Sequence, residues 1–197
     1  MNIEIFLKQF PLNPNKLNQK PWESLILAVQ TEDIIGTVLR LHLFCEKTIE
    51  AYICGMCNQE QLLGYNLSNN DKFIIDFSIK LKMAKSIGLP QKLYKVLSKL
   101  NLIRNAIAHV KDVDIPQNHL QSAKTMLIDY LKEKDSSIHI NQYGLELNND
   151  DGSLMYKRIF GDNDLSNKDL FIVVSANVIH EIAQIAAKEA NFMINQV

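Results

Sequence analysis

An arginine, an asparagine and a histidine lie close together near the middle of the chain, at Arg104, Asn105 and His109. The guanidinium group of Arg104 offers a planar set of donors that fits a phosphate. The imidazole of His109 titrates near neutral pH and can move a proton, and the amide of Asn105 can hold a ligand or a base in place. Attack by a ribose 2′-hydroxyl on a phosphodiester needs such a cation and such a proton carrier, and it requires no metal or other cofactor. The alternative is chance, because an Arg and a His at this spacing are common and a histidine at a helix end can simply neutralise the helix dipole.

Helical geometry places another polar group beside this set. Apolar residues recur at spacings of three and four along the segment, which predicts a helix over 90–110. At about 100° per residue, Arg104 lies at the edge of the apolar stripe, and Asn101 and Asn105 lie further round. Asn101 is therefore a candidate supporting residue on the same polar facet.

The segment around this set is strongly basic although the formal net charge of the chain is only -1. No Asp or Glu occurs from Phe77 to Lys111, whereas eight Lys and Arg residues lie between Lys80 and Lys111. Such a stretch predicts a surface that binds a nucleic-acid backbone. The alternative is a solvated face, or one neutralised by acids from elsewhere in the fold. The candidate RNA-binding residues are Lys92, Lys95, Lys99 and Lys111.

The elements that must position these residues are mainly helical. Helix periodicity and end signals predict a short first helix and a loop over 11–22. Longer helices follow over 31–56, 71–87, 90–110, 116–132 and 167–195. Thr31 is expected to cap the first of these, Gly88 to end the helix 71–87, and Ser166 with Asp169 to start the last one. We therefore predict an all-α, antiparallel bundle of five to six helices.

Residues 136–160 break the helical pattern. Alternating apolar residues on either side of an Asn- and Asp-rich turn predict a small β-hairpin. The whole chain, 1–197, is thus predicted to be a single domain with a core over 31–132, a hairpin appendage and a C-terminal helix.

The helix 31–56 carries other polar candidates. His42 and Glu46 are one turn apart and can pair, with Arg40 beside them. Glu46 is also placed to reach Arg104 and orient it, which makes it a candidate supporting residue. The alternative is an ion pair that only stabilises the bundle.

Cysteine usage and composition exclude several classes of protein. Cys54 and Cys57 form one isolated pair with no histidine cluster nearby, so we predict reduced core thiols and no metal site. Three cysteines in all argue against a disulfide framework, which favours a cytoplasmic location. No apolar run reaches the length needed to span a bilayer, and no glycine-rich phosphate loop occurs.

The segment LIRNAIAHV, Leu102–Val110, resembles the motif of the HEPN superfamily of helical domains. That motif is an arginine, a polar residue, three further residues and a histidine at a helix end. The preceding SIKLKMAKSIGLP and QKLYKVLSKLN are similar to members that resemble the mannitol operon repressor, and LRLHLFCEKTIEAYI resembles the second helix of the family. The resemblance covers about residues 31–132.

The resemblance implies a homodimer whose two motifs meet in one cleft, and a metal-independent endoribonuclease of the toxin–antitoxin or antiphage kind. Arg104 and His109 would be catalytic with Asn105 in support, and a cognate antitoxin is an implied partner. Some active toxins carry a tyrosine two residues after the histidine, where this chain has Lys111. Other members bind without cleaving, so a non-catalytic regulator with a protein or nucleic-acid partner is the alternative. The apolar stripe from Ile34 to Tyr52 adds a surface that a twin subunit would cover.

Overall fold

The apolar spacing seen in the sequence produces a mainly helical fold with one small hairpin. The computed structural model describes residues 1–10, 23–63, 75–108, 114–149 and 151–194. Within those ranges there are seven α-helices, two β-strands and a single 3-10 turn at Ile140–Gln142. The predicted fold class is confirmed. The helices are α1 (Ile3–Gln9), α2 (Glu23–Gln30), α3 (Ile34–Cys57), α4 (Phe77–Ser86), α5 (Gln91–Ala108), α6 (Gln117–Lys134) and α7 (Asn167–Ile194), and the strands are β1 (Gly144–Asn148) and β2 (Leu154–Ile159).

The long helix α3 begins at a different cap from the one predicted. Asp33, not Thr31, is its N-cap, and the Asp33 carboxylate accepts a hydrogen bond of 2.9 Å from the backbone N–H of Gly36. Thr31 instead accepts a hydrogen bond from the N–H of Asp33. Aspartate and threonine are both good N-caps, so the local pattern did not distinguish two sites that lie two positions apart. Helix α2, just before this junction, was not predicted.

Helices α4 and α5 form a tight pair joined by a glycine turn. Gly88 has a φ of 113°, a left-handed value that an L side chain rarely adopts, so the predicted glycine stop is confirmed. Helix α4 begins at Phe77 and not at 71. Residues 75 and 76 are not helical, and 71–74 lie outside the described residues. Helix α5 is described as far as Ala108, whereas the prediction extended it to 110.

The apolar stripe of α3 is buried inside its own chain. Val38, Leu41 and Ile49 have no exposed surface, and Cys45 and Tyr52 are almost fully covered. Each such aliphatic side chain contributes about 1.5–3 kcal/mol by leaving water. The expectation that this stripe awaits a twin subunit is therefore wrong, because α1, α2, α4, α5 and α7 already cover it.

Helix α7 packs against α3, α5 and α6 through a long apolar segment. Its start is the predicted capping box, in which the backbone N–H of Asp169 donates to the Ser166 hydroxyl at 3.0 Å. No uninterrupted apolar run is long enough to span a bilayer, but by length and composition the segment Asn167–Glu189 would suffice to cross one. Within the bundle, 67% of its most apolar window is buried. A core helix has the same properties, so this segment is weak evidence for a membrane span.

The hairpin is fastened to α7 at both ends. Strands β1 and β2 pair antiparallel, with Leu145 opposite Arg158. The buried amide of Asn177 donates to the carbonyl of Gly144 at 3.2 Å, and the Tyr156 hydroxyl donates to Asp169 at 2.8 Å. The predicted hairpin is confirmed, but its first strand begins at Gly144 and not at 136. Ile140–Gln142, within the predicted range, form a 3-10 turn.

Candidate functional site

A cleft of about 430 Å3 opens between α3, the start of α4 and the C-terminal half of α5. Helix α5 supplies three of its residues at helical spacing, as the polar facet of the sequence predicted. Helix α3 supplies two, and the start of α4 supplies the facing wall. The lining residues are His42, Glu46, Ile75, Asp76, Phe77, Ser78, Asn101, Arg104 and Asn105.

Arg104 is half-buried in the wall of this cleft. Its Nη1 atom donates to Oδ1 of the neighbouring Asn105 at 3.0 Å. That bond uses one of the five guanidinium N–H groups, so Arg104, which lines the cleft, keeps other donors for a ligand. The structure thus brings Arg104, Asn105 and Asn101 together, as predicted.

His42 is the cleft residue whose role the sequence did not indicate. It is only 5% exposed and lies edge-on to the ring of Phe77, with the ring centres 4.6 Å apart. Its Nε2 atom is 3.0 Å from Oδ1 of Asn101, so it contacts α5 and not its predicted partner Glu46. Burial lowers the pKa of His42, and the nearby positive charge of Arg104 acts in the same direction; the bond to Asn101 and the charge of Glu46 oppose them.

Glu46 is held by a lysine and not by Arg104. Oε1 of Glu46 is 2.6 Å from Nζ of Lys80, and Lys80 also lies 2.6 Å from Oε1 of Glu50. Lys47 completes the group at 2.8 Å from Glu50. The prediction that Glu46 orients Arg104 directly is therefore wrong. Lys80 is only 6% exposed, so the first lysine of the basic stretch belongs to the interior and not to a surface.

The three candidate RNA-binding lysines within the described residues, Lys92, Lys95 and Lys99, lie outside the lining of the cleft. Lys92 is paired with Glu133 of α6 at 2.6 Å, which neutralises it in part. Lys95 is exposed and Lys99 half-buried. At about 100° per residue, Lys95 lies about 120° and Lys99 about 160° around α5 from Asn101. Lys111 and the candidate catalytic His109 lie outside the described residues.

Among the described residues, no group of three or more His, Cys, Asp or Glu side chains is placed to hold a metal ion. Cys54 is buried, which raises the pKa of its thiol, whereas Cys57 is exposed. Both thiols are free. The prediction of core thiols is thus confirmed for Cys54 and wrong for Cys57, which is exposed at the C-terminal end of α3.

Comparisons with family models, with curated proteins and with solved structures give no significant match to this chain. The lining of the cleft offers one cation, two amides, a buried imidazole, a serine hydroxyl and the carboxylates of Glu46 and Asp76.

Proposed function

We propose that this chain is a metal-independent endoribonuclease of the HEPN kind, acting in the cytoplasm, with Arg104 and His109 as catalytic residues and Asn105 in support. The cleft carries the proposal, because it brings Arg104, Asn101 and Asn105 onto one open wall. The cleft, at about 430 Å3, is large enough for a small ligand, since small-molecule sites start at about 300 Å3. His109 directly follows the last described residue of α5.

The proposed reaction needs only groups that the chain supplies. A base removes the proton of a ribose 2′-hydroxyl, and the resulting oxygen attacks the adjacent phosphorus. The bond from phosphorus to the 5′-oxygen breaks, and that oxygen takes up a proton. Arg104 neutralises the charge that builds up on the phosphate oxygens, and His109 moves the proton. The products end in a 2′,3′-cyclic phosphate and a 5′-hydroxyl.

The proposal is tested by incubating purified protein with a mixed RNA pool in EDTA. We expect cleavage with cyclic phosphate ends, while DNA of the same sequence survives because it lacks the 2′-hydroxyl. His109→Ala should reduce the rate by about 10²–10⁴-fold. Arg104→Ala should reduce it by about 10²-fold or more.

Matched controls separate the site from general effects. Lys132→Ala removes one positive charge from an exposed site on α6 outside the cleft, and His139→Ala removes an exposed imidazole elsewhere. Both should cleave within about twofold of wild type, and each variant needs a melting curve because Arg104 is half-buried. An intact RNA pool with wild-type protein would refute the enzyme.

In that case the alternative is a non-catalytic regulator that binds a protein. One observation favours it: Leu39 and Leu43 of α3 and Leu102 of α5 are exposed on the helices that form the cleft. Contiguous exposed apolar patches are typical of a protein-binding surface, and Leu39 and Leu43 lie one helical turn apart on the same face of α3. We assign this leucine surface to a second copy of the chain, with an antitoxin-like protein as the competing occupant.

A further inference from the structure

The two asparagine amides on the α5 wall of the cleft have the same arrangement. Oδ1 of Asn101 lies 3.0 Å from Nε2 of His42. Oδ1 of Asn105 accepts from Nη1 of Arg104, also at 3.0 Å. Both amide oxygens are therefore taken by neighbouring side chains. Within the described part of the chain, neither NH2 group has a hydrogen-bond partner, so both remain available to a ligand.

This arrangement leaves the α5 wall with donors and few acceptors. An amide has one oxygen that accepts and one nitrogen that donates two hydrogens. Since the oxygens are used inside the protein, the remaining groups are two NH2 groups and the guanidinium donors of Arg104. A wall of donors around a fixed positive charge favours an anion over a neutral ligand.

We infer that His42 is a positioning residue, whose Nε2–H holds Asn101 so that its NH2 group faces the cleft and forms, with Arg104 and Asn105, a three-donor seat for a phosphate of RNA. The identity of the ligand as RNA rests on the proposed function. The arrangement of donors does not, because it follows from the hydrogen bonds of Asn101 to His42 and of Asn105 to Arg104.

The tautomer of His42 decides the orientation of the amide. Because Asn101 presents its oxygen, Nε2 must carry the proton, and the ring is neutral when Nδ1 does not. Charged groups around the ring are Glu46 on α3, Arg104 on α5 and Asp76 at the start of α4. Burial keeps the pKa of His42 below its usual value of 6.5. The neutral ring with Nε2–H is thus the form present at pH 7.

The two carboxylates at the cleft do not occupy the seat. Glu46 is paired with Lys80 at 2.6 Å, which offsets its charge. Asp76 is exposed on the opposite wall, and its carboxylate makes no cap bond to α4. A phosphate on the α5 wall therefore meets the positive charge of Arg104 first.

The test uses binding and not cleavage. The probe is a fluorescent five-nucleotide RNA in which every 2′-hydroxyl is replaced by fluorine, which cannot be cut, measured by anisotropy at constant salt. His42→Phe keeps the ring and removes the donor. His42→Gln places a donor near the position of Nε2. Asn101→Asp keeps an oxygen for His42 but replaces the NH2 group by a negative oxygen. Asn163→Asp makes the same charge change at an exposed turn residue between β2 and α7 that does not line the cleft.

We expect His42→Phe to weaken binding about tenfold, the effect of one lost hydrogen bond to a charged group. His42→Gln should bind within about threefold of wild type, and this rescue is a result that a purely structural role would not give. Asn101→Asp should weaken binding by about 100-fold, and Asn163→Asp by less than about twofold. If His42→Phe does not fold, the test is the binding measured for Asn101→Asp. This variant should fold, because Asn101 is only half-buried.

The outcomes also separate this inference from the proposed function. Loss of binding in His42→Phe and Asn101→Asp, with no cleavage of RNA by wild type, supports the seat and refutes the nuclease. Cleavage by wild type with unchanged binding in both variants refutes the seat and leaves the nuclease. Failure of wild-type protein to bind the probe overturns the seat.

Discussion

Lys80, the buried lysine of α4 that pairs with two glutamates of α3, provides the most direct test of what stabilises the helices around the cleft. Lys80→Met replaces the ammonium group by an apolar group of similar length. It leaves Glu46 and Glu50, which both lie 2.6 Å from Nζ of Lys80, without their shared cation. Glu50 is 3% exposed, so its charge has little access to water.

The expected loss of stability depends on the interactions that Glu46 and Glu50 keep in the Lys80→Met variant. Removing one partner from a buried ion pair costs about 3–5 kcal/mol. Glu50 keeps Lys47 at 2.8 Å, and Glu46 is partly exposed and can gain water. We therefore expect the lower end of that range, about 3 kcal/mol.

The assay is urea unfolding followed by circular dichroism, comparing midpoints at constant m-value. Lys82→Met is the matched control, because Lys82 is exposed on the same helix; its effect should stay within about 0.5 kcal/mol. Adding Glu46→Gln to Lys80→Met should recover about 1 kcal/mol, since one unpaired carboxylate is then neutral. A loss below about 1 kcal/mol for Lys80→Met would refute the view that these charges depend on Lys80.

The pH dependence gives an independent check with a definite sign. Burial raises the pKa of Glu50, but the hydrogen bonds from Lys47 and Lys80 outweigh it and hold the pKa below its usual 4.5. Its contribution to stability is therefore full above about pH 4.5 and is lost as the pH falls through the folded-state pKa. The difference between wild type and Lys80→Met should accordingly be largest near neutral pH and shrink in acid.

Two further predictions concern the hairpin and the assembly. Tyr156→Phe should lower stability by about 1 kcal/mol by removing the bond to Asp169, and hydrogen exchange in β1 and β2 should speed up more than in α3; unchanged exchange would show that the bond does not fasten the hairpin. Light scattering at micromolar concentration should give twice the 22.5 kDa chain mass, and Leu43→Glu should halve it; a monomeric wild type would rule out the leucine surface as a self-association site.

Some features of this protein are determined by residues within a few positions of one another. These features were predicted from the sequence. Gly88 ends α4 because only a glycine adopts its φ of 113° easily. The Ser166–Asp169 box starts α7 because both partners lie on one turn. The facet of α5 follows in the same way, because helical spacing alone places Asn101, Arg104 and Asn105 together.

Helix starts were less accurate where two good caps compete. Thr31 and Asp33 are both suitable N-caps, and the start of α3 at Ile34 follows from the second. Only the packing of α2 against α3 distinguishes them, since the hydroxyl of Thr37 also bonds to the carbonyl of Ala28 in α2.

The environment of each polar side chain was decided by tertiary structure alone. The apolar stripe of α3 has the same sequence pattern whether it faces its own bundle or a second subunit. In the structure it is buried within its own bundle. Lys80 looks like a surface lysine until α4 packs it against two glutamates of α3. His42 meets Asn101 across 59 positions of sequence. No local pattern encodes such a contact, because it depends on how α3 and α5 cross and not on the residues beside either one.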